Sequence, residues 1–420
     1  MKLLAAYLIC VSVFAGALSA RAGEDSGKEP GSFFSDLSTR EHLTGNWDGL
    51  RDRLNEWGLT PTAGYSASLL GNPVGGIRKG IKYAGLLDVY LDFDLEKLLA
   101  IRDTKLVVSG AWAFGENLSG GDIGNYFTVS NDYNGKVVKL YQFYIETGLC
   151  KDKLTVALGR MGIGDDFATA DVFYLYVNSA VDTNPISLQY NIPAFLSNPD
   201  AALGARISLK PLDEFYLAAG VYNAAPVSGG NSGVSIKTDF MFGDGVILIS
   251  EAGYTPGRKE GSAGLPGEYK IGAYYDTGDF DKLSDDENKR NGNYGFYMIA
   301  DQMVYREPGD GGQGMTLWAA STFAPEEGIN LFPLFLSGGF SYEGLLPGRN
   351  NDTAGFGFAY GKVSRDLDNG DYEIGIEGTY IYQVTPWLGL QPDVQLIVHP
   401  GGDAGIPDAL VAGMQISVDI

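Results

Sequence analysis

The chain has 420 residues, a formal net charge of -22, 59 glycines, 25 tyrosines, 21 phenylalanines and only two histidines. Its 52 acidic against 30 basic residues would repel phosphate, so nucleic acid is excluded as a partner, and two cysteines rule out a disulfide scaffold. A composition 45% hydrophobic and 12% aromatic buries enough surface to offset ordering entropy, which excludes a disordered chain.

Residues 1–22 read as a signal peptide. Lys2 supplies the positive start, Leu3 to Leu18 is almost wholly apolar, and Ala20-Arg21-Ala22 offers the small-x-small cleavage pattern. Cys10 sits too early for a lipoprotein box, and Leu8-Ile9 lacks the small residues expected before a lipidated cysteine. Cleavage leaves 28 basic and 52 acidic residues, and Cys150 as the single cysteine.

Residues 23–58 form an N-terminal segment, polar at first. From Asn46 the apolar residues Trp47, Leu50, Leu54 and Trp57 recur at helical spacing. Asn46 is the candidate cap and Gly58 the candidate stop. The helix is expected to pack on the main domain as a connection, with a periplasmic plug or a partner-docking helix as the alternative.

From residue 59 to 420 the period changes to two. Leu87, Val89, Leu91, Phe93 and Leu95 alternate with Asp88, Tyr90, Asp92, Asp94 and Glu96. Tyr372, Ile374, Ile376, Tyr380, Tyr382 and Val384 oppose Asp371, Glu373, Glu377, Thr379 and Gln383. The chain ends the same way, with Leu410, Ala412, Met414, Ile416, Val418 and Ile420 against Gln415, Ser417 and Asp419. Such strands, roughly 10–14 residues long, exceed the ~5–6 of soluble sheets and suit a tilted bilayer crossing of ~9–11. No apolar run of ~18 residues marks a transmembrane helix, but a membrane barrel hides its apolar face by alternation. Tyrosines such as Tyr372, Tyr380 and Tyr382, or Tyr274, Tyr275, Tyr294 and Tyr297, are expected to form interfacial girdles. Glycine fits tight turns and curved strands.

Alternation and turn signals give 17 candidate strands, with turns at Lys151-Asp152, Asp213-Glu214, Gly243-Asp244-Gly245 and Thr385-Pro386-Trp387. A single-chain barrel with both termini on one side needs an even number. The expectation is therefore 16, with the surplus near 231–256. Two connections are long, 116–135 and 165–200. The second carries Phe167, Phe173, Tyr174, Tyr176 and Phe195, and is the one expected to fold inward.

At this point the residues resemble a family. Leu43-Thr44-Gly45-Asn46-Trp47-Asp48-Gly49-Leu50-Arg51, then Trp57-Gly58-Leu59-Thr60, is similar to the opening of OprB-type carbohydrate-selective porins. So are Leu69-Leu70-Gly71-Asn72 with Gly75-Gly76-Ile77-Arg78-Lys79-Gly80, Leu158-Gly159-Arg160 with Gly164-Asp165-Asp166-Phe167, and Pro199-Asp200-Ala201-Ala202-Leu203-Gly204. Tyr297-Met298-Ile299-Ala300-Asp301-Gln302, Leu346-Pro347-Gly348-Arg349-Asn350-Asn351-Asp352-Thr353 and Val384-Thr385-Pro386-Trp387-Leu388-Gly389-Leu390-Gln391-Pro392-Asp393 continue it. His399-Pro400-Gly401-Gly402 and Asp408-Ala409-Leu410-Val411 complete it, so the likeness spans nearly the whole mature chain. It implies an all-β fold: a 16-stranded antiparallel transmembrane β-barrel with a short N-terminal periplasmic helix. The barrel would lie in the bacterial outer membrane, contact its lipid, and pass monosaccharides and other small polar solutes by diffusion. Ile420 stands where such barrels commonly end in phenylalanine.

Sugar passage needs polar groups that replace water without holding the solute, and flat rings for its C–H faces. The resemblance puts an arginine near the constriction at Arg78. The candidate pore-lining residues are therefore Arg78 and its neighbour Lys79, with Arg160, Asp165 and Asp166 as charged neighbours and Trp112 as a stacking platform. Lumen or loop salt bridges, and for Trp112 a lipid-facing girdle position, are the alternatives. The acidic balance predicts a pore that does not favour anions.

Enzymatic readings find little support. His42 and His399 have no His or Cys at metal-ligand spacing, and no G-x-S-x-G elbow is present. Gly309-x-Gly311-x-x-Gly314 is followed by a β-pattern where a dinucleotide site requires a helix. The run Asp279, Asp281, Asp285, Asp286, Glu287 lacks EF-hand spacing and reads as a solvated loop. No cofactor or metal is expected. A closed-lumen barrel with an adhesion or structural role is the alternative to a porin.

Overall fold

The computed structural model describes residues 36–151, 153–224, 232–235 (backbone only), 245–258, 262, 264–284, 289–309, 312–367 and 370–420. The signal-peptide reading of 1–22, and the turn and acidic-run residues Asp152, Gly243, Asp244 and Asp285 to Glu287, lie outside them.

Sixteen antiparallel strands close into one barrel. In chain order they are β1 Leu59–Val74, β2 Ile81–Asp94, β3 Thr104–Gly115, β4 Lys136–Leu149, β5 Leu154–Met161, β6 Ala202–Leu212, β7 Phe215–Asn223 and β8 Val246–Tyr254. They continue as β9 Gly267–Asp281, β10 Lys289–Arg306, β11 Gly314–Phe323, β12 Leu334–Glu343, β13 Thr353–Lys362, β14 Tyr372–Thr385, β15 Leu388–Val398 and β16 Ala409–Asp419. Closure comes from β1 against β16, with Gly64 opposite Asp419 and Leu69 opposite Met414.

The alternation read from sequence is sorted inside out. Large apolar side chains are exposed on the outer face, with Leu158 at 65% and Met298 at 59%, whereas Glu373 and Glu377 on the inner face are 0% and 3% exposed. A soluble sheet would not leave such a belt in water; hydrocarbon outside and polar groups inside are the membrane arrangement. Two of the tyrosines expected in the girdles do not belong there. Tyr275 and Tyr294 face outward, but Tyr274 and Tyr297 are buried inside, because they occupy the other parity of the same strands.

The long connections 116–135 and 162–201 lie at one end, and the two-residue turns Asp213–Glu214 and Pro386–Trp387 lie at the other with the start of β1 and the end of β16, the arrangement of extracellular loops and periplasmic turns. The helix α1, Leu50–Trp57, packs at the turn end against β1 and is stopped by Gly58 in the left-handed region (φ 98). Asn46 precedes a single 3-10 turn and does not cap it; its side chain donates to Asp52 instead. Arg51 from α1 donates to the carbonyl of the last residue, Ile420, at 3.0 Å, and its guanidinium lies 4.5 Å over the Trp47 ring. The backbone N–H of Leu43 bonds to Asp419 at 2.8 Å.

One wall is notched. β5 has eight residues, and its pairing with β4 ends at Phe143 opposite Arg160, seven residues short of the upper end of β4. The exposed edge of β4 at Lys136–Lys139 is paired instead by Ser232–Ser235, running parallel to it. This is the seventeenth strand of the sheet, and it lies within the stretch where the surplus was expected. It covers backbone groups that would otherwise be unpaired beside the bilayer.

Candidate functional site

The chain between β5 and β6 enters the lumen through the notch and crosses it. Ile163, Phe167, Phe173, Tyr176 and Phe195 of this loop are buried in one cluster with Tyr297, Trp318, Phe332 and Phe335 of the far wall. The tip is fastened by hydrogen bonds. The Tyr176 hydroxyl lies 3.0 Å from the Phe356 carbonyl and accepts from the Trp318 indole N–H at 2.7 Å. Gln391 donates to the Leu175 carbonyl at 2.7 Å. Glu377 accepts the backbone N–H groups of Val177 (2.7 Å) and Asn178 (3.0 Å). Near the loop's start, Glu251 accepts from Ala168 N–H at 3.0 Å.

Inner-face glycines of β13 let the loop lie close. A Cβ at Gly355 would meet Leu175 at 2.7 Å and one at Gly357 would meet Tyr176 at 2.9 Å, while one at Gly361 would meet Phe127 of the loop 116–135 at 2.8 Å. Real contacts of that length essentially never occur.

The loop 116–135, expected to face outward, also folds inward. Ser130 bonds Ser68 at 2.6 Å, Asp132 accepts from Ser66 at 2.5 Å and Gln415 at 2.9 Å, and Glu373 accepts the N–H groups of Tyr126 (2.9 Å) and Phe127 (2.6 Å). Its residues Leu118, Ile123 and Val129 form a second buried cluster with Leu70, Ile397 and Val411. The period-two pattern stops in this loop, and nothing in its polar composition distinguished a lumen-filling loop from a solvated one.

With the β8–β16 side filled, the polar face of the crossing loop is turned toward the β2–β6 wall. That wall presents Asp88, Tyr90 and Asp92 from β2, Lys105 from β3, Tyr144 and Glu146 from β4, and Arg206 from β6. Arg206 bridges Asp166 of the loop and Glu146 of the wall, and Lys105 pairs with Glu146 at 2.9 Å. Asn198 donates to Asp88 at 3.0 Å and to the Tyr90 hydroxyl at 3.3 Å. Asp165 accepts from the Tyr141 hydroxyl and from Gln142 at 2.5 Å. Tyr174 is 58% exposed between buried Phe173 and Leu175, so its ring faces open space rather than the packed side of the loop. Burial pushes the Asp165 carboxyl up to about 7, against the Tyr141 and Gln142 hydrogen bonds that lower it. Burial likewise raises Asp166 to about 6, with Arg206 opposing.

The residues expected from sequence separate into three groups. Asp165 and Asp166 sit together at the loop's entry, facing the wall. Arg160 is next to them on β5, its Nε donating to the carbonyls of Leu140 (3.2 Å) and Tyr141 (3.0 Å) at a bulge of β4. Arg78 and exposed Lys79 lie in the first loop at the outer mouth, where Arg78 bonds Asp122 at 2.5 Å and the Gly121 carbonyl at 3.1 Å. Trp112 stands on the outer face of β3, 48% exposed and 5.4 Å from Phe114, because it has the parity of outward residues. Its ring therefore points away from the lumen. Sequence reasoning missed Arg206, Glu146 and Lys105 as a linked set, although charged residues at inward parity were the available signal.

Three comparisons bear on this arrangement. The family model for "Carbohydrate-selective porin, OprB family" matches residues 78–419. Porin B of Pseudomonas aeruginosa is 27% identical, covering 89% of this chain and 90% of its own, and the putative porin QuiX of Acinetobacter baylyi is 24% identical over 90% and 93%. The high-pH structure of Pseudomonas putida OprB superposes with a TM-score of 0.83 at 25% identity, covering 91% of this chain and 99% of that one.

Proposed function

The chain belongs to the OprB family of carbohydrate-selective porins, sugar-selective channels of the bacterial outer membrane, and from that footing we propose where in this barrel the sugar crosses. The route runs between the loop that bridges β5 and β6 and the β2–β6 wall. Tyr174 offers a flat ring to the sugar's C–H face, and Asp88, Asp165, Asp166, Glu146 and Arg206 exchange hydrogen bonds with its hydroxyls. Arg78 and Lys79 act earlier, at the outer mouth, and Arg160 holds the bulge behind the entry. The outer belt contacts lipid, and transport is conduction with no bond made or broken.

The observation that carries this reading is the exposure of Tyr174 between buried Phe173 and Leu175 on the lumen loop. A thiol at this position tests it. In a Cys150→Ser background, which removes the exposed free thiol at the turn end, Tyr174→Cys is inserted into liposomes and labelled with a bulky maleimide. Monosaccharide-driven swelling is expected to fall several-fold on labelling. Unchanged swelling would place the route elsewhere.

A further inference from the structure

We infer that Glu251, Glu373 and Glu377 are positioning residues that set the solute-size limit of the channel by fastening its two inward loops to the barrel wall. The inference takes the proposed passage as its setting. All three are on inner faces, Glu251 on β8 and the others on β14, and all three are buried. Each accepts backbone N–H groups from a loop. Glu377 takes those of Val177 and Asn178, at the tip of the crossing loop. Glu251 takes Ala168, with the hydroxyls of Tyr216 at 2.7 Å and Tyr297 at 2.9 Å completing its shell. Glu373 takes Tyr126 and Phe127 of the loop 116–135, and Gly401 of the last loop at 2.5 Å.

The chemistry explains why glutamate occupies these positions. A carboxyl group presents two oxygens to converging N–H groups, and at Glu377 the side chain also shares a hydrogen bond with the buried Asp393 carboxyl. Glutamine accepts through one oxygen and turns an NH2 toward the second donor. The donors here are backbone groups in irregular chain, which have no ladder partner and need an acceptor once buried. Fastening the crossing loop at Ala168 and again at Val177–Asn178 fixes the stretch between, which carries Tyr174. The loop's distance from the β2–β6 wall, and so the width of the passage, follows from these anchors.

The test uses the full-length folded porin in Glu377→Gln, Glu251→Gln and Glu373→Gln variants. In liposomes, the swelling rate for a trisaccharide is divided by that for a monosaccharide. This ratio is independent of how much protein inserts, so a merely structural role lowers both rates and leaves it unchanged. Glu377→Gln is expected to raise the ratio at least threefold, and to raise single-channel conductance in potassium chloride with added noise. Glu377→Asp, which keeps both oxygens, is expected to fall between Gln and the parent. If Glu377→Gln yields no heat-modifiable barrel, the same ratio is read on the other two variants. An unchanged ratio in every variant that folds would overturn the inference, as would failure of all three to fold. Conductance reads the loop without sugar. A conductance change with no block by label at residue 174 would therefore sink the proposed route and keep the anchoring.

Discussion

The indole N–H of Trp318 on β11 reaches across to the hydroxyl of Tyr176 on the inward loop, 2.7 Å away, with the two ring centroids 5.3 Å apart. The same hydroxyl lies against the carbonyls of Phe356 (3.0 Å) and Phe340 (3.1 Å). One loop residue is thus joined to three neighbouring strands. Trp318→Phe keeps a ring but leaves that joint short of a donor, at a cost of about 1 kcal/mol. Tyr176→Phe abandons the indole N–H inside an apolar cluster and costs about 1–3 kcal/mol. Denaturant midpoints of the folded barrel in detergent should rank the two in that order; equal midpoints would contradict it.

Gly357 lies beneath the same ring. A methyl group there would stand 2.9 Å from Tyr176 and 3.3 Å from Trp318, and Tyr176 is held by its hydroxyl. Gly357→Ala should therefore shift the loop and destabilise the barrel by about 1–3 kcal/mol, as overpacking does. Gly378 on β14 has open space around it, so Gly378→Ala is the control, expected to leave stability and conductance near the parent's.

The proposed passage predicts that Asp165 makes ion preference depend on pH. Its carboxyl titrates at about 7 because burial disfavours the charge. Below that pH it is neutral in the passage, and above it adds a negative charge. Cation preference, read as reversal potential in a potassium chloride gradient, should grow between pH 6 and 8 and flatten in Asp165→Asn. The stability linkage has the opposite sign. The folded state holds this proton more tightly than an ordinary carboxyl near 3.8, so stability falls as pH rises from about 4 to 7. An anion-preferring pore at pH 8 would defeat the electrostatic reading.

Arg206 and Arg78 should behave differently although both are paired with aspartate. Arg206 sits between Asp166 and Glu146, all three largely buried. Arg206→Leu strands Asp166, leaves Glu146 with Lys105 alone, and is expected to cost about 3 kcal/mol while sharpening cation preference. The Arg78 side chain is 65% exposed, and its buried partner Asp122 keeps Lys82 3.9 Å away, so Arg78→Gln should cost less than Arg206→Leu, about 1 kcal/mol. Sugar-driven swelling should drop in the first variant and stay near the parent's in the second. A reversed order would move the constriction to the outer mouth.

The barrel was legible in the chain because membrane strands obey a strict local rule. Leu87 to Asp94 and Tyr372 to Val384 announce their parity residue by residue, and parity determines which side faces lipid. The helix stop at Gly58 was legible for a similar reason, since a left-handed residue after an apolar stripe ends a helix. The site was legible only in part. Asp165 and Asp166 stand in a stretch that resembles the family, whereas Arg206, which bonds Asp166, comes from a strand 40 residues away in the chain. Such pairings depend on barrel register, which no local pattern carries. The glycines misled in one respect. Turns and curvature account for many of them, but Gly355, Gly357 and Gly361 are small because another part of the chain presses on them. Trp112 shows the converse. Its chemistry suited a sugar platform, but parity sends the ring to the lipid.

The bond from Arg51 to the carbonyl of Ile420 joins positions 369 residues apart. It sets an order of events. The helix lies against β1 and bonds to Lys97 just after β2, but its seat is finished only when β16 closes the seam with β1. The bond is therefore a report that the barrel has closed.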